Sequence, residues 1–168
     1  YNDMRLATCD LRPRWHLVGH LQTNKVKEAV KIFNLIQSVD SIHLAQEIDK
    51  QAARINKIQD ILIQVNTSGE TTKFGLKPNE TVEVIKGIDK LKNIKIKGLM
   101  TIAPLVDNPE KTRSCFRLLK ELNDRVNSLR LARLRDLRLL SMGMTDDFEA
   151  AIEEGANMIS LVRAVFEV

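Results

Sequence analysis

Six short apolar runs alternate with segments whose apolar residues recur at helical spacing, and no other feature of the 168-residue chain constrains its fold as strongly. Residues 15–18 read as a strand, Val26, Ala29, Val30 and Phe33 as one face of a helix, and residues 36–39 as a second strand. Ile42, Ala45, Ile48, Ala52 and Ile55 mark the next helix. Residues 61–65 are nearly continuously apolar, as a parallel strand covered on both faces must be. Pro78 falls near the start of a helix carrying Val82, Ile85 and Ile88, consistent with the tolerance of a first turn for proline. Residues 94–100 form a fourth strand, whose Lys95 and Lys97 mark its solvated starting end. Phe116, Leu119, Leu122, Val126 and Leu129 outline a long helix; residues 137–141, 148–152 and 158–161 then read as strand, short helix and strand. Six strands alternating with helices imply an α/β protein with a parallel sheet.

Composition narrows the classes. With 43% apolar residues the chain can bury one core, and residues 1–168 are read as a single domain. The net charge of +4, from 26 basic and 22 acidic residues, is dispersed, and only 4% of residues are aromatic. No nucleic-acid partner is expected from such a surface. Arg130, Arg133, Arg135 and Arg138 are interrupted by leucines and an alanine and read as a solvated face. Cys9 and Cys115 are too far apart for a CxxC pair, so neither a disulfide framework nor a zinc knuckle is indicated. No apolar stretch approaches the roughly 20 residues of a membrane span. A cytoplasmic protein without membrane association is the expectation.

An open doubly wound sheet and a closed β/α barrel both satisfy this alternation. The open sheet commonly advertises its nucleotide with GxGxxG or a P-loop, and the chain has neither; residues 68–73 lack the GxxxxGK[ST] frame. A TIM-type (β/α)8 barrel commonly places a phosphate at the loops after its last two strands. Those loops would follow Leu140 and Leu161. The first lies in the segment Leu140-Ser141-Met142-Gly143-Met144-Thr145-Asp146-Asp147-Phe148-Glu149, where an apolar run gives way to a glycine-containing turn and helix-start chemistry. Backbone N–H groups converging there would hold an anion. Eight strands require two more βα units, about 60 residues at about 30 per unit, before Tyr1. The expected fold is thus a barrel reduced at its start to about six units, with exposed edges that invite self-association.

Several motifs in order along the chain carry a family resemblance. Trp15-His16-Leu17-Val18-Gly19-His20-Leu21-Gln22-Thr23-Asn24-Lys25, Val39-Asp40-Ser41, Gln64-Val65-Asn66-Thr67-Ser68-Gly69-Glu70, Lys73-Phe74-Gly75-Leu76, Gly98-Leu99-Met100-Thr101 and residues 140–147 together resemble the pyridoxal 5′-phosphate homeostasis proteins, single-domain relatives of the alanine racemase N-terminal barrel. The resemblance runs from Trp15 to about Phe166. It implies a carrier of pyridoxal 5′-phosphate (PLP) more than an enzyme, with PLP-dependent apoenzymes as possible recipients. It also implies a Schiff-base lysine on the first barrel strand, upstream of Tyr1. Ser141, Gly143, Met144 and Thr145 would line the phosphate; His16, Asn66 and Met100 would face the cofactor from neighbouring strand ends; Lys73 would supply a second cationic contact or a transient imine.

The final strand departs from the family pattern. Ser160-Leu161-Val162 stands where the family has an arginine, an apolar residue and a glycine, and Glu167 replaces the glycine after the closing Ile-Phe. Serine cannot supply the charge, and Val162 adds a branched side chain where close approach needs none. Arg163 would compensate only through a strand slip, which changes faces. Plainer roles also stand beside these: Thr145 or Asp146 as a helix cap with Glu149, Lys73 as a surface lysine, Asn66, Ser68 and Gly69 as turn formers, and Met100 as packing. His16 and His20 lack a third ligand in sequence, so no metal site is expected. A racemase-like enzyme would need a second acid/base, for which Tyr1 is the only tyrosine, and a degenerate barrel serving as an interaction module is the third class.

Overall fold

A computed structural model of the chain describes residues 13–129 and 137–161. Six strands, β1 (His16–Leu17), β2 (Leu35–Val39), β3 (Gln59–Gln64), β4 (Ile94–Met100), β5 (Leu139–Met144) and β6 (Met158–Ser160), form one sheet in sequential order. All five pairings are parallel. The connections carry α1 (Val26–Ile32), α2 (Ile42–Arg54), α3 (Thr81–Ile88), α4 (Arg113–Ser128) and α5 (Phe148–Glu153). Tyr1, Cys9, Arg130, Arg133, Arg135, Val162, Arg163, Phe166 and Glu167 lie outside the described residues.

The sheet has two apolar faces. Ile36, Val39, Ile61, Ile63, Ile96, Leu99, Leu140 and Met142 pack with the helices in the main core, where Ile48, Ile85, Phe116 and Leu119 are fully buried. Leu35, Leu62 and Met100 form a separate inner cluster, with Val18, Leu139 and Met158 against it. Alternate residues of a strand face opposite ways, so the consecutive apolar residues Leu35-Ile36 of β2 and Ile61-Leu62-Ile63 of β3 supply both faces, as burial on both sides requires.

Curvature follows from one contact. The Gln37 amide on β2 lies 3.3 Å from the Met158 sulfur on β6. Across a flat sheet, four strand spacings would separate them by about 19 Å. The sheet is therefore curled, with the inner cluster inside the curve: the described residues form a six-stranded half-barrel of TIM type, as the alternation implies.

Where the boundaries differ from those read in the sequence, local hydrogen bonds explain the shift. Helix α3 starts at Thr81, because Lys77 O accepts both Thr81 N at 3.2 Å and Thr81 Oγ1 at 2.9 Å and closes a turn over Pro78 first. Leu137 does not open β5: its N–H donates to Asn127 Oδ1 at 2.8 Å, and its carbonyl accepts from Asn123 Nδ2 at 3.1 Å. At its far end β5 runs on to Met144, so Ser141 and Gly143 belong to the strand and not to the turn. Lys95 is exposed and Lys97 half-buried at the start of β4, as expected.

Helix α5, which follows the candidate anion turn, is fastened to α4 by charge. Arg113 bonds Glu110, Glu153 and Glu154, and Arg117 bonds Glu154. The Arg117 hydrogen bond, outweighing desolvation and aided by Arg113, holds the Glu154 carboxyl below its ordinary value of 4.5. A lowered folded value means that this contribution is full above the unfolded value and is lost as pH falls through the folded one. Acid titration from about pH 4.5 downward is expected to loosen α5 from α4, with Glu154→Gln abolishing that part of the pH dependence; amide exchange in residues 148–153 checks it.

Gly98 is required by close approach: a Cβ there would lie 1.8 Å from Leu139 O on β5. Since that neighbour is backbone, Gly98→Ala must spread β4 from β5, and a loss of about 3 kcal/mol or more is expected in urea unfolding.

Candidate functional site

The carboxyl ends of the strands make a mouth on one side of the curled sheet, where ligands of parallel α/β folds bind. Besides an open hollow of about 420 Å³ between His20 and Asp40, two adjoining hollows lie there. The smaller, about 20 Å³, is lined by Val18, Met100, Thr101, Ile102, Ser141, Met142, Gly143, Met144 and Ser160. The larger, about 460 Å³, lies between Glu70 and Lys73, the loop from Ile102 to Val106, and the turn from Met144 to Asp147. They share Ile102 and Met144 as a common wall.

Ser141 is 3% exposed, and its hydroxyl donates to Gln37 Oε1 at 2.6 Å. The same Gln37 amide donates to His16 Nδ1 at 3.2 Å. One buried carboxamide thus joins β1, β2, β5 and β6, and it selects the His16 tautomer with its proton on Nε2. Partial desolvation, with the Arg14 charge adding, holds His16 below the usual imidazole range, in keeping with a neutral ring. Thr101 Oγ1 donates to Val65 O at 2.8 Å and meets Thr67 Oγ1 at 2.9 Å, pinning the β4 end to the β3 end.

Gly143 has φ +93°, and a Cβ on it would stand 2.6 Å from Ala151 Cβ and 3.1 Å from the Phe148 Cα. Glycine is needed there for conformation and for space. The register between β5 and β6 shifts across this residue. Met144 follows, 43% exposed at the rim, and its N–H donates to Asp147 Oδ1 at 2.7 Å. Asp147, not Thr145 or Asp146, is the N-cap residue of α5, and its carboxylate turns back over the turn to Met144.

The site residues read from the sequence divide accordingly. Met100, Ser141, Gly143 and Met144 meet around the smaller hollow; Lys73, Met144 and Thr145 line the larger. His16 joins them through Gln37. Asn66 does not face the mouth with its amide: Nδ2 donates to Glu70 O and Lys73 O at 2.8 and 3.1 Å, while Oδ1 accepts from Ser68 Oγ and Gly69 N. It builds the loop that carries Lys73, whose ammonium stands 3.3 Å from Glu70 Oε1. Gln37 was missed, although a glutamine inside the run Leu35 to Val39 signals a buried polar group in need of partners. The carboxylate near His20 was missed too, because Asp40 comes from the next strand end, 3.4 Å away. Among the described residues no group of three His, Cys, Asp or Glu side chains is placed to hold a metal. No described helix is long and apolar enough to cross a membrane.

Residues 4–164 match the family model described as alanine racemase, N-terminal domain, which sets the fold and its strand-end mouth in that class of barrel. A curated relative from Aquifex aeolicus, a pyridoxal phosphate homeostasis protein, is 46% identical over 162 residues, covering 95% of this chain and 69% of that protein. Another, from Synechocystis, is 37% identical over 152 residues, covering 90% of this chain and 68% of its own length. The chain belongs to the pyridoxal phosphate homeostasis protein family. It spans about two thirds of the length of these relatives, and 63% of the one from Haemophilus influenzae. PipY of Synechococcus elongatus, solved with PLP bound, superposes with a TM-score of 0.80 at 34% identity, covering 90% of this chain and 70% of its own. Alanine racemase from Clostridium difficile, at 19% identity and a TM-score of 0.68, shares the fold.

The mouth can be measured against PLP. Pockets for small ligands begin at about 300 Å³, so the larger hollow has the room and the smaller alone does not. Hydroxyl and backbone donors at Thr145, Ser160 and the turn suit a phosphate, although Asp147 already occupies the Met144 N–H. Ser160, half-buried in the wall, brings no charge where the resemblance puts an arginine. The hydroxyls of Thr145 and Ser160 are of the kind a phosphate engages, in linings that also carry the carboxylates of Asp146 and Asp147.

Gln37→Leu would leave the Ser141 hydroxyl buried without its acceptor. A loss of about 1–3 kcal/mol is expected, read as a lower urea midpoint at unchanged m-value.

Proposed function

We propose that this chain binds PLP at the strand-end mouth and serves intracellular PLP homeostasis by binding, buffering and delivering the cofactor. The observation that carries the reading is the convergence of the β5 end and its turn with Lys73 on one hollow of sufficient volume, in a chain 34% identical to PipY, which has been solved with PLP bound. In this reading residues 1–168 act as one binding domain. PLP supplies an aldehyde that reacts with primary amines. The chain's own residues hold and orient it.

Backbone N–H groups around Gly143, Met144 and Thr145, with the Ser160 hydroxyl, receive the phosphate. Asp147 must release Met144 N–H as the anion arrives, because a carboxylate and a phosphate cannot share one donor and one site. Met100 and the inner cluster of Leu35 and Leu62 form a dry floor. Ser141 acts from within that floor, its hydroxyl held by Gln37, so its contribution is to fix the strand that presents the turn. His16, neutral and held through Nδ1, keeps Nε2–H as a donor at the β1 end. Asn66 acts through its loop, and Lys73 supplies the cation on the facing wall.

A delivery role makes PLP-dependent apoenzymes the natural recipients and places the protein in the cytoplasm. The sheet edges among the described residues, β1 and β6, make self-association part of the same proposal.

Amide exchange tests the assignment of the phosphate. PLP and inorganic phosphate are each expected to slow exchange across residues 143–147, and pyridoxal without its phosphate to do so much less. Equal protection by PLP and pyridoxal would count against the phosphate cradle.

A further inference from the structure

The loop from Asn66 to Leu76 arches from the end of β3, and its two ends are secured by backbone. Asn66 N donates to Leu76 O at 2.9 Å and Leu76 N to Gln64 O at 2.8 Å, so Val65 and Leu76 pair as a parallel bridge. Between these ends, neighbouring residues go to opposite flanks. Lys73 enters the wall of the 460 Å³ hollow beside Pro104 and Met144. Phe74 goes the other way, toward the loops after β1 and β2, where its ring stacks on His20 with centroids 3.8 Å apart and an interplanar angle of 14°.

That stack is unusual for an exposed loop. Phe74 remains 54% exposed, so burial alone does not hold it. His20 is held in turn: its Nδ1 lies 3.4 Å from Asp40 Oδ2, and the Asp40 side chain is only 16% exposed. A carboxylate anchored at the end of β2 therefore orients an imidazole from the β1 loop, and the imidazole face receives a ring from the β3 loop. Three strand ends are linked by two contacts.

We propose that His20 is a positioning residue for the mouth, which clamps Phe74 with Asp40 behind it and so keeps Lys73 directed into the hollow opposite the Met144 to Asp147 turn. The role of Lys73 in this inference rests on the PLP reading above; the clamp itself does not. Its reach through a single residue is short: the Lys73–Phe74 peptide is held from inside the loop by Asn66 Nδ2 on Lys73 O at 3.1 Å and Gln64 Nε2 on Phe74 O at 3.3 Å, and the stack adds the one side-chain hold from the flank, so its loss loosens the peptide that carries the Lys73 side chain. Asn66 holds the crown from within, at Gly69, Glu70 and Lys73, and the backbone bridge holds its base; the stack is the contact that ties it to the loops after β1 and β2. The Lys73 to Glu70 ion pair lies within the crown and moves with it. Stacked aromatic contacts of this kind are modest in strength. Losing one is enough to open a loop locally and too little to unfold the domain.

Two measurements on the chain decide it. In the absence of ligand, His20→Ala and Phe74→Leu should each speed amide exchange in residues 69–75 by about three- to tenfold, with the rest of the sheet unchanged. Their combination should add nothing further, as expected of two halves of one contact. His20→Phe, which keeps a ring without the imidazole, should restore most of the protection. With PLP and borohydride, trapping at Lys73 relative to Lys77 should fall by a similar factor in His20→Ala and recover in His20→Phe, a selectivity that a general loss of stability would not alter. Unchanged exchange in His20→Ala, or additive effects in the double variant, would overturn the clamp. If the unsubstituted chain traps PLP no faster at Lys73 than at Lys77, the cofactor role of Lys73 fails, and the ligand-free exchange still decides the clamp.

Discussion

The Gln37 carboxamide is the interaction on which the shape of the mouth depends. An amide buried on the inner face of the sheet is out of reach of solvent and finds its partners within the protein. Gln37 finds them on three other strands: the Ser141 hydroxyl, the His16 imidazole and the Met158 sulfur. His16 is on the neighbouring strand, but Ser141 and Met158, three and four strands away, come within reach only when the sheet is curled. Satisfying the amide and curving the sheet are therefore one requirement, and the curvature that gathers the strand ends into a mouth is fixed by it.

Above this floor the mouth is built from short polar devices, each fixing one loop to another. Thr101 ties the β4 end to β3, Asn66 saturates its own loop, Asp147 folds back onto Met144, and Gly143 admits the turn close to Ala151. Rim and floor have different chemistry. The floor is dry and apolar around Met100, whereas the rim carries a lysine and several carboxylates around exposed Leu105, at 88%, and Met144.

Much of this was legible in the sequence. The six strands and five helices were readable because burial on both faces writes nearly continuous apolar runs and helices write their own period. The barrel type, and the candidate site at the turn after β5, followed from the position of residues 140–147. The ends of elements were less legible. Residues 137 and 138 have strand-like composition, yet the amides of Asn123 and Asn127 take the polar groups of Leu137 before β5 can. Gly143 looks like a turn residue but sits within a strand, because φ +93° lets β5 continue through a shift of register. Asn66 was placed on the right loop with two readings, facing the cofactor or forming the turn with Ser68 and Gly69, and its four local partners give it the second.

By itself the sequence determined the parallel α/β architecture, the family, the position of the glycine-containing turn after β5 and the lysine on the third loop, all of which depend on local periodicity or on motifs contiguous in the chain. Only the tertiary structure decided which side chains meet. Gln37 and Ser141 are 104 residues apart, and Gln37 and Met158 are 121 apart. The stack of His20 on Phe74, with Asp40 behind it, joins three loops that share no sequence pattern. Periodicity reports which face a residue takes; the distance across that face is set by the curl of the sheet, a property of all six strands together.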